Sequence, residues 1–478
     1  MNTIVTEKMM PFKELEKKIF DYVCEMGRIM TQVILESYDE QLQETRNKKE
    51  LRCKGTRQTT IKTIMGEVEY SRNVYETKDE SGRKAWVYLL DQEMQMDKIG
   101  FFSTNLAEKI ANVVADNSYH TAAEIISSTS GQSISHGGAW LLVQKLGERI
   151  SAEETAMVKE MDATGGKGTK ELKLLFEEMD GVWLKMQGKG HRKAPKQEMK
   201  VATMYEGWED DGSSCSRLAG KTIIAGMEKS EEFHAKREAR IRSIYNADEI
   251  EIRVLNGDGG SWIKDPYEPD TVFQLDRFHI QQSIKKKIAS PEAQKEIGRL
   301  FEEGRYDEMF EYISIYADSV ESDDEKDNNS RKARELYEYL NNNKEGLVPW
   351  QKQRNDYPEA PEGMVYKNMG VQENQNCTTI TLRMKGGRRR WSNPGANNMA
   401  KLLTSRENKE LVDTIDRYTD GMMLAEPVQE ILYSLSAAKA PKKDGKGSPY
   451  LDLLNHHMPM LDALQTNARR LFRKAFCG

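Results

Sequence analysis

Two runs of residues typical of β-strands end on acidic residues in the segment 250–279. The first run, 250–255, leads into Asp258, which lies between two glycines. The second, 271–275, ends on Asp276, and His279 follows three residues later. Glycine lets a charged ligand approach the backbone, and carboxylate oxygens are the ligands that Mg²⁺ prefers. The segment therefore predicts metal-dependent phosphate chemistry.

Two further carboxylates stand in contexts that suit the same chemistry. Asp180 lies inside an apolar β-like run, directly before Gly181, and Glu373 precedes a basic segment that starts at Arg383. Burying a carboxylate in a strand is costly unless another group compensates its charge, and metal coordination is one such compensation. Two Mg²⁺ ions held by such carboxylates can activate a nucleophile and stabilise a leaving oxygen.

Each of these residues also has a purely structural interpretation. Asp180 and Gly181 could form a type I′ hairpin turn, and Asp258 could be the first residue of an Asx turn. Glu373 could be an acidic residue favoured by a helix dipole, and His279 could cap a helix rather than organise a site.

Upstream of these acids the patterns predict a separate, smaller set of elements. A long amphipathic helix runs from Phe12 to about Lys48, and an antiparallel sheet with a turn at Gly66 follows. Residues 119–146 then read as helix, glycine-containing turn and helix, with Ser135 as N-cap and His136 beside it. This is the order of a DNA-binding helix-turn-helix, although an ordinary helical hairpin has the same pattern. Residues 151–171 are expected to be a polar link.

From Leu172 onward the order is three strands, a helix and two strands, which predicts a mixed sheet with helical cover. The polar residues 280–370 predict a helical insertion, and the chain beyond Lys401 continues as helix.

Composition limits the function classes. The net charge of −6 excludes a positive field over the whole surface, but local basic groups can still bind phosphates. The candidates for DNA contacts are Ser135 and His136 of the helix-turn-helix region, together with Lys193, Lys385, Arg388, Arg389, Arg390 and Trp391, the last as a ring that stacks on a base. Five scattered cysteines support neither a disulfide framework nor a zinc ribbon. This cysteine usage fits a reducing cytosol, and a cytoplasmic location is expected. Because no run of about 18 apolar residues occurs, no membrane span is expected.

An ordered set of segments resembles a known family. They are residues 179–182, around Asp180; 198–207; 256–263, around Asp258; 275–279; 369–373, ending on Glu373; 383–385; and 391–400. Together they resemble bacterial insertion-sequence transposases of the ISLre-two type, in the mutator-like group, from about residue 60 to 402. Asp276 and His279 are similar to that group's Cys/Asp-x-x-His signature. The run Asn374 to Cys377 departs from the His-containing run of many relatives.

The resemblance implies an α+β multidomain fold. Its centre would be an RNase H-like mixed α/β catalytic core with an all-α insertion before the last acid. Asp180, Asp258 and Glu373 would be the catalytic DDE residues and would hold two Mg²⁺ ions, for which Mn²⁺ can substitute. Asp276 and His279 would support the site. Water would first cleave the DNA at the element end, and the freed 3′-OH would then attack target DNA.

The same resemblance implies partners and alternatives. The partner would be double-stranded DNA, namely the terminal inverted repeats and the target, and synapsis of two ends implies a homodimer or larger assembly. In the cell the protein would be a bacterial cytoplasmic one that joins the nucleoid when bound to DNA. A metal-dependent nuclease of the same fold without strand transfer is one alternative. A domesticated, non-enzymatic DNA-binding protein is the other.

These inferences divide the chain into seven regions. They are an N-terminal helix that could oligomerise (1–50), a β-hairpin domain (51–100), the helix-turn-helix region (101–160), the first part of the core (171–280), the helical insertion (281–368), the segment of the last catalytic helix (369–405) and a C-terminal helical region (406–478).

Overall fold

The computed structural model describes residues 11–417, apart from 80, 95–101, 189, 191, 193, 211, 213–216, 264–270 and 322–327. Two compact units divide the chain, one within Met1–Leu142 and Asp413–Gly478 and the other within Val143–Val412. Among the described residues, no helix combines the length and apolar character needed to cross a membrane.

The first unit contains a long helix and an antiparallel sheet. Helix α1 (Phe12–Thr45) is a single helix, and the sheet consists of β1 (Arg52–Thr63), β2 (Gly66–Lys78) and β3 (Lys84–Val87). Strands β1 and β2 meet at a turn where Gly66 has a φ of +129°, a value that favours glycine. Leu35 of α1 packs with Val68 and Tyr70 of β2 in one buried cluster. The predicted helix and hairpin are confirmed.

Short helices follow the sheet. They are α2 (Leu89–Glu93), α3 (Thr104–Asp116) and α4 (Tyr119–Thr129). The next helix, α5, covers His136–Thr164, and the Ser135 hydroxyl accepts a hydrogen bond from the Gly138 N–H at 3.0 Å, as an N-cap does. The prediction of a link over residues 151–171 is wrong for 151–164, which continue α5. Gly165 and Gly166, both with positive φ, follow the last helical residue.

A five-stranded mixed sheet forms the centre of the second unit. Its spatial order is β10-β9-β4-β5-β8. Strand β4 pairs antiparallel with β5, and β5 with β8, whereas β4 pairs parallel with β9, and β9 with β10. The strands are β4 (Leu174–Leu184), β5 (Gln197–Tyr205), β8 (Thr222–Gly226), β9 (Ile252–Gly257) and β10 (Val272–Leu275). The predicted mixed sheet is confirmed.

Helix α6 (Ser230–Ile244) connects β8 to β9. Phe233 and Ile241 of this helix pack on Met179 and Leu255 of the sheet. The opposite face is covered by aromatic packing around Phe176, Tyr205 and Trp350. Because side chains alternate along a strand, successive residues of β4 enter different layers.

A block of helices follows β10, as predicted. Helix α7 (Arg277–Lys287) leads into the block, whose members are α8 (Pro291–Glu302), α9 (Tyr306–Ser319), α10 (Asn329–Asn342) and the short α11 (Trp350–Gln353). Ile297, Met309 and Leu336 of the block share one buried cluster with Ile280 and Ile284 of α7. The block is therefore packed onto α7 and is not an independent appendage.

The remaining elements complete the second unit. A small sheet joins β6 (Gly207–Glu209) to β7 (Leu218–Ala219) and β11 (Met364–Val365). Helix α12 (Gln372–Gln375) continues into a π-helix over Asn376–Thr381 and then α13 (Leu382–Met384). Helices α14 (Asn393–Glu407) and α15 (Leu411–Arg417) end the described chain. Of the C-terminal helical region predicted for 406–478, residues 418–478 lie outside the described part of the chain.

Candidate metal centre

Three of the predicted site residues converge in the second unit. Asp180 comes from β4, His279 from α7 and Glu373 from α12, and one potential ligand atom of each lies within 4.8 Å of the others. The His279 Nε2 atom lies 3.6 Å from Asp180 Oδ1. Residues far apart in sequence thus meet because parallel β4, β9 and β10 carry the chain to the same edge of the sheet.

Asp180 lies in the middle of an antiparallel pair and not in a turn. It pairs with Val201 of β5, and Gly181 pairs with Lys200, so the hairpin-turn alternative is wrong. The residue is 8% exposed, and Asn376 donates a hydrogen bond to its Oδ2 atom at 2.7 Å. Asp180 is therefore a buried carboxylate with one oxygen held by an amide.

Burial raises the pKa of Asp180 to about 6, against the opposing effects of His279 and of the Gly181 N–H. The neighbouring charges of Asp258 and Glu373 contribute to this raised value. Like charges that collect in a partly desolvated space are stable only when a cation or a proton joins them.

Asp258 is a neighbour of Asp180, but it is not one of the three residues whose ligand atoms converge within 4.8 Å. It follows β9, and its Oδ1 accepts the Gly260 N–H at 2.8 Å, as in the Asx-turn alternative. Its charge nevertheless contributes to the raised pKa values of Asp180 and Asp276. The residue is thus an electrostatic neighbour of the site, and its second oxygen has no part in the turn.

Asp276 and His279 have different roles, helix capping and contact with the site. Asp276 is the N-cap of α7 and accepts the Phe278 N–H at 2.9 Å. Burial raises the pKa of Asp276, while this hydrogen bond and His279 oppose the shift. The His279 Nε2 atom lies 4.0 Å from Asp276 Oδ2. Capping therefore belongs to Asp276, and His279 is directed towards Asp180.

The side chains present fit a divalent cation. The His279 Nε2 atom is buried and has no hydrogen-bond partner within the described part of the chain, which is costly for a polar atom unless another group satisfies it. It lies close to the carboxylates of Asp180 and Glu373. One imidazole and two carboxylates suit Mn²⁺ at least as well as Mg²⁺, which prefers oxygen ligands.

Sequence reasoning missed three residues that border the site. Glu178 lies on the same face of β4 as Asp180 and binds the backbone just before Glu373. Asn376 holds Asp180. The two-residue spacing of Glu178 and Asp180 was a signal that could have revealed the first, because residues i and i+2 share a strand face.

Glu198 is the third missed residue. A Cβ atom on Gly181 would lie 1.9 Å from Glu198 Oε1, so the glycine leaves room for this side chain on the face of β4 opposite to Asp180. Burial raises the pKa of Glu198, Lys200 opposes the shift, and the charge of Asp258 adds to it. The glycine after Asp180 thus leaves room for a further carboxylate, which interacts with the charge of Asp258.

The predicted DNA-contact residues have different surroundings. Lys385 and Arg388 are exposed, whereas Arg389 donates to the carbonyls of Leu382 and Arg383. Trp391 is only 8% exposed, and its Nε1–H donates to the Met384 carbonyl at 2.9 Å. Its predicted role as a stacking platform does not agree with this burial, because the ring packs inside the fold.

The remaining predicted contacts lie elsewhere. Ser135 and His136 are exposed in the first unit, where the His136 ring stacks on His120 with centroids 5.8 Å apart. Lys193 lies outside the described residues.

The chain is similar to several proteins of one family. Two relatives come from Caldanaerobacter subterraneus subsp. tengcongensis. UPF0236 protein TTE2489 is 24% identical over 84% of this chain and 80% of its own length. A second, whose name joins eleven TTE designations from TTE0033 to TTE2212, is 23% identical over 84% of this chain and 78% of its own length.

A third relative, the UPF0236 protein in the vanSb 3′ region of Streptococcus gallolyticus, is 23% identical over 74% of this chain and 73% of its own length. Residues 5–416 match the family described as "Uncharacterised protein family (UPF0236)". The chain therefore belongs to the UPF0236 family.

Proposed function

We propose that this protein is a DDE transposase that cleaves DNA at the ends of an insertion sequence and joins the freed 3′-OH to target DNA. The observation that carries the proposal is the convergence of Asp180, Glu373 and His279 within 4.8 Å, with Asp258 near enough to raise the pKa of Asp180. Buried acids that raise one another's pKa mark functional sites more often than structural ones.

The sheet supports the RNase H-like part of the proposal. Three antiparallel strands, a crossover helix and two further parallel strands, in the spatial order β10-β9-β4-β5-β8, make up the core. The first acid stands on the central strand β4, the second follows its parallel neighbour β9, and the third lies on a helix after the helical block. This is the placement that the family resemblance implies for a DDE triad.

A relative's name gives separate support. One UPF0236 protein of Caldanaerobacter carries eleven designations from a single organism in its name. A gene present in many copies of one sequence is what a mobile element leaves when it copies itself. Because this chain belongs to the same family, the many designations of that relative favour transposition over a fixed cellular nuclease.

The chain's own groups would act as follows. Asp180, Glu373 and His279 would hold one divalent ion, and Asp258 would complete a second position beside Asp180. Bound Mg²⁺ or Mn²⁺ supplies charge that activates the attacking oxygen and stabilises the leaving oxygen. Asn376 fixes the orientation of the Asp180 carboxylate, and the exposed Lys385 and Arg388 would contact phosphates of the bound strand. The carboxylates must be ionised to hold the ions.

The test is strand cleavage and joining on duplex DNA that carries the sequences flanking the gene, with Mg²⁺ or Mn²⁺. We expect wild type to cleave and join. Asp180→Asn, Asp258→Ala and Glu373→Gln should lose both steps, while the exposed Asp307→Asn should retain them. Equal activity of the wild type and Asp258→Ala would refute the assignment of that acid. Cleavage without joining would favour the nuclease, and specific binding without cleavage a non-enzymatic DNA-binding protein.

A further inference from the structure

Glu178 is a carboxylate enclosed on all sides, with no exposed surface. Each of its oxygens accepts three hydrogen bonds. The Oε1 atom receives the Tyr205 O–H at 2.7 Å and the N–H groups of Gly370 and Val371 at 3.0 and 3.2 Å. The Oε2 atom receives the Asn256 amide at 2.9 Å and the N–H groups of Gly370 and Gln372, both at 3.2 Å.

The backbone that Glu178 binds is the segment directly before Glu373. The first N–H groups of a helix have no partner within the helix, and here those of Val371 and Gln372, at the start of α12, are satisfied by Glu178. Gly370 has a φ of +126°, a conformation that glycine adopts readily, and it turns its N–H towards both carboxylate oxygens. The carboxylate therefore fixes the position at which α12 begins.

We propose that Glu178 is a positioning residue that holds Glu373 opposite Asp180, so that strand β4 carries both the first site carboxylate and the anchor of the third. The inference rests on the proposed function for its catalytic meaning. Glu178 and Asp180 are two positions apart on one face of β4, so their separation is set by the strand. Glu373 follows immediately after the anchored N–H groups, so its separation from Asp180 is set by the anchor.

A neighbouring residue offers a matched control. Glu177 is as deeply buried as Glu178 but lies on the other face of β4, where it pairs with Arg237 at 3.0 Å and Arg253 at 2.6 Å. Glu177→Gln and Glu178→Gln therefore make the same substitution at adjacent buried positions. Only Glu178→Gln places an amide N–H₂ against backbone N–H donors that precede Glu373.

A second variant acts on the anchor from the solvent side. A Cβ atom on Gly370 would meet no atom within 4 Å, but the positive φ strains any other residue. Gly370→Ala should therefore displace its N–H from Glu178 without disturbing the core. Gly363→Ala, with a φ of +78° and equally open surroundings, has the same kind of strain but no contact with Glu178.

Two measurements on the full-length protein separate the inference from the proposed function. Hydrogen–deuterium exchange of the peptide covering residues 366–377 reports the anchor without any metal. Mn²⁺ titration followed by electron paramagnetic resonance reports the site. We expect Glu178→Gln and Gly370→Ala to speed exchange in this peptide and to weaken Mn²⁺ binding by about 10–100-fold, as loss of a supporting hydrogen bond does in metal sites. Glu177→Gln and Gly363→Ala, compared at equal folded fraction, should do neither.

Unchanged exchange in both Glu178→Gln and Gly370→Ala overturns the inference. So does faster exchange with unaltered Mn²⁺ affinity, because the anchor would then not position the site. If wild type takes up no Mn²⁺, the proposed function fails. In that case the exchange of residues 366–377 alone decides whether Glu178 holds the segment before Glu373.

Discussion

Asn376 donates a hydrogen bond from its Nδ2 atom to Oδ2 of Asp180 across 2.7 Å, although 196 positions separate the two residues. The contact occupies one oxygen of Asp180 and leaves the other, Oδ1, facing His279. The Gln372 side-chain amide in turn donates from Nε2 to the Oδ1 atom of Asn376 at 2.9 Å. The carboxylate at the centre of the site is thus oriented by the π-helix that follows Glu373.

Asp180→Asn should make the metal-free protein more stable at pH 8. The folded-state pKa of Asp180 is raised from 3.8 to about 6. Its contribution to stability is therefore fully present below pH 3.8 and is lost as the pH rises through about 6. Above that pH the buried charge costs on the order of 2–3 kcal/mol, and the neutral amide avoids much of this cost while accepting the hydrogen bond from Asn376.

Urea unfolding at several pH values measures this effect. The gain in free energy of unfolding for Asp180→Asn should narrow as the pH falls from about 6 to about 4, because Asp180 of the folded wild type takes up its proton over this range. The exposed Asp307→Asn should show no such gain. An Asp180→Asn protein that is less stable than wild type at pH 8 would contradict the expectation.

Mn²⁺ should raise the melting temperature of the wild type in a pH-dependent way. A cation that binds only the folded state stabilises it by mass action, and protons compete for the same carboxylates. Because the pKa of Asp180 is raised to about 6, the shift in melting temperature should be large at pH 7.5 and small at pH 5. Thermal unfolding over a Mn²⁺ series tests this, with Asp180→Asn as the control that should not respond. A shift that is the same at both pH values would speak against Asp180 as a ligand.

Lys401→Met should destabilise the second unit strongly. The Lys401 Nζ atom lies 2.8 Å from Glu154 Oε2 and 2.9 Å from Glu228 Oε1, and it is almost fully buried. Burial alone would raise the pKa of Glu228, but Lys401 and Lys236 outweigh it and lower the pKa to about 2. Removing one partner of a buried charge group typically costs about 3–5 kcal/mol.

The pH dependence of this loss follows from the sign of the shift. A depressed pKa gives stability that is present above the unfolded value of 4.5 and is lost as the pH falls towards 2. The difference between wild type and Lys401→Met should therefore be full at pH 7 and shrink below pH 4. Denaturant unfolding measures it, and the exposed Lys295→Met serves as the control. A loss below about 1 kcal/mol at pH 7 would show that the charges are not coupled as described.

Gly147→Ala should destabilise the packing of α5 on α14. A Cβ atom on Gly147 would lie 2.4 Å from the Asn398 Cα atom, and backbone cannot give way cheaply, so a loss of about 1–3 kcal/mol or more is expected. Gly298→Ala in α8 meets no atom within 4 Å and should gain up to about 1 kcal/mol from helix propensity. Thermal unfolding of both variants tests this prediction. An equal change in stability in the two variants would contradict it.

Much of the fold could be predicted from local patterns. Alternation and glycine turns located the β1–β2 hairpin, and the run of strands around Asp180 and Asp258 located the mixed sheet. Helical periodicity likewise located α6 and the block from α7 onward. The pattern of apolar residues along each of these segments reflects which of its faces is buried, and it can therefore be recognised without knowing the partner segments. The end of α5 was missed because residues 151–164 are polar enough to resemble a linker.

The site was less predictable because its geometry is not local. The sequence could nominate Asp180, His279 and Glu373, but not that Asn376 holds the first of them. Nothing in the pattern around Trp391 indicates that its ring is buried and donates to the Met384 carbonyl. An arginine-rich run beside an aromatic residue has the same sequence pattern whether the ring is buried or exposed. Glu178 was overlooked because its spacing from Asp180 indicates a shared strand face but not the distant backbone N–H groups that its carboxylate binds.

The shared core of α7 and the helical block has a consequence for how this architecture can change. His279 stands one residue before Ile280, which packs with Leu336 and Met309 of the block. Deleting the block, or exchanging it for that of a distant relative, would expose the inner face of the helix that carries a site imidazole. Successful chimaeras should therefore exchange α7 together with the block. The exchanged segment should run from Asp276 to the end of α10, and not only over the helical insertion.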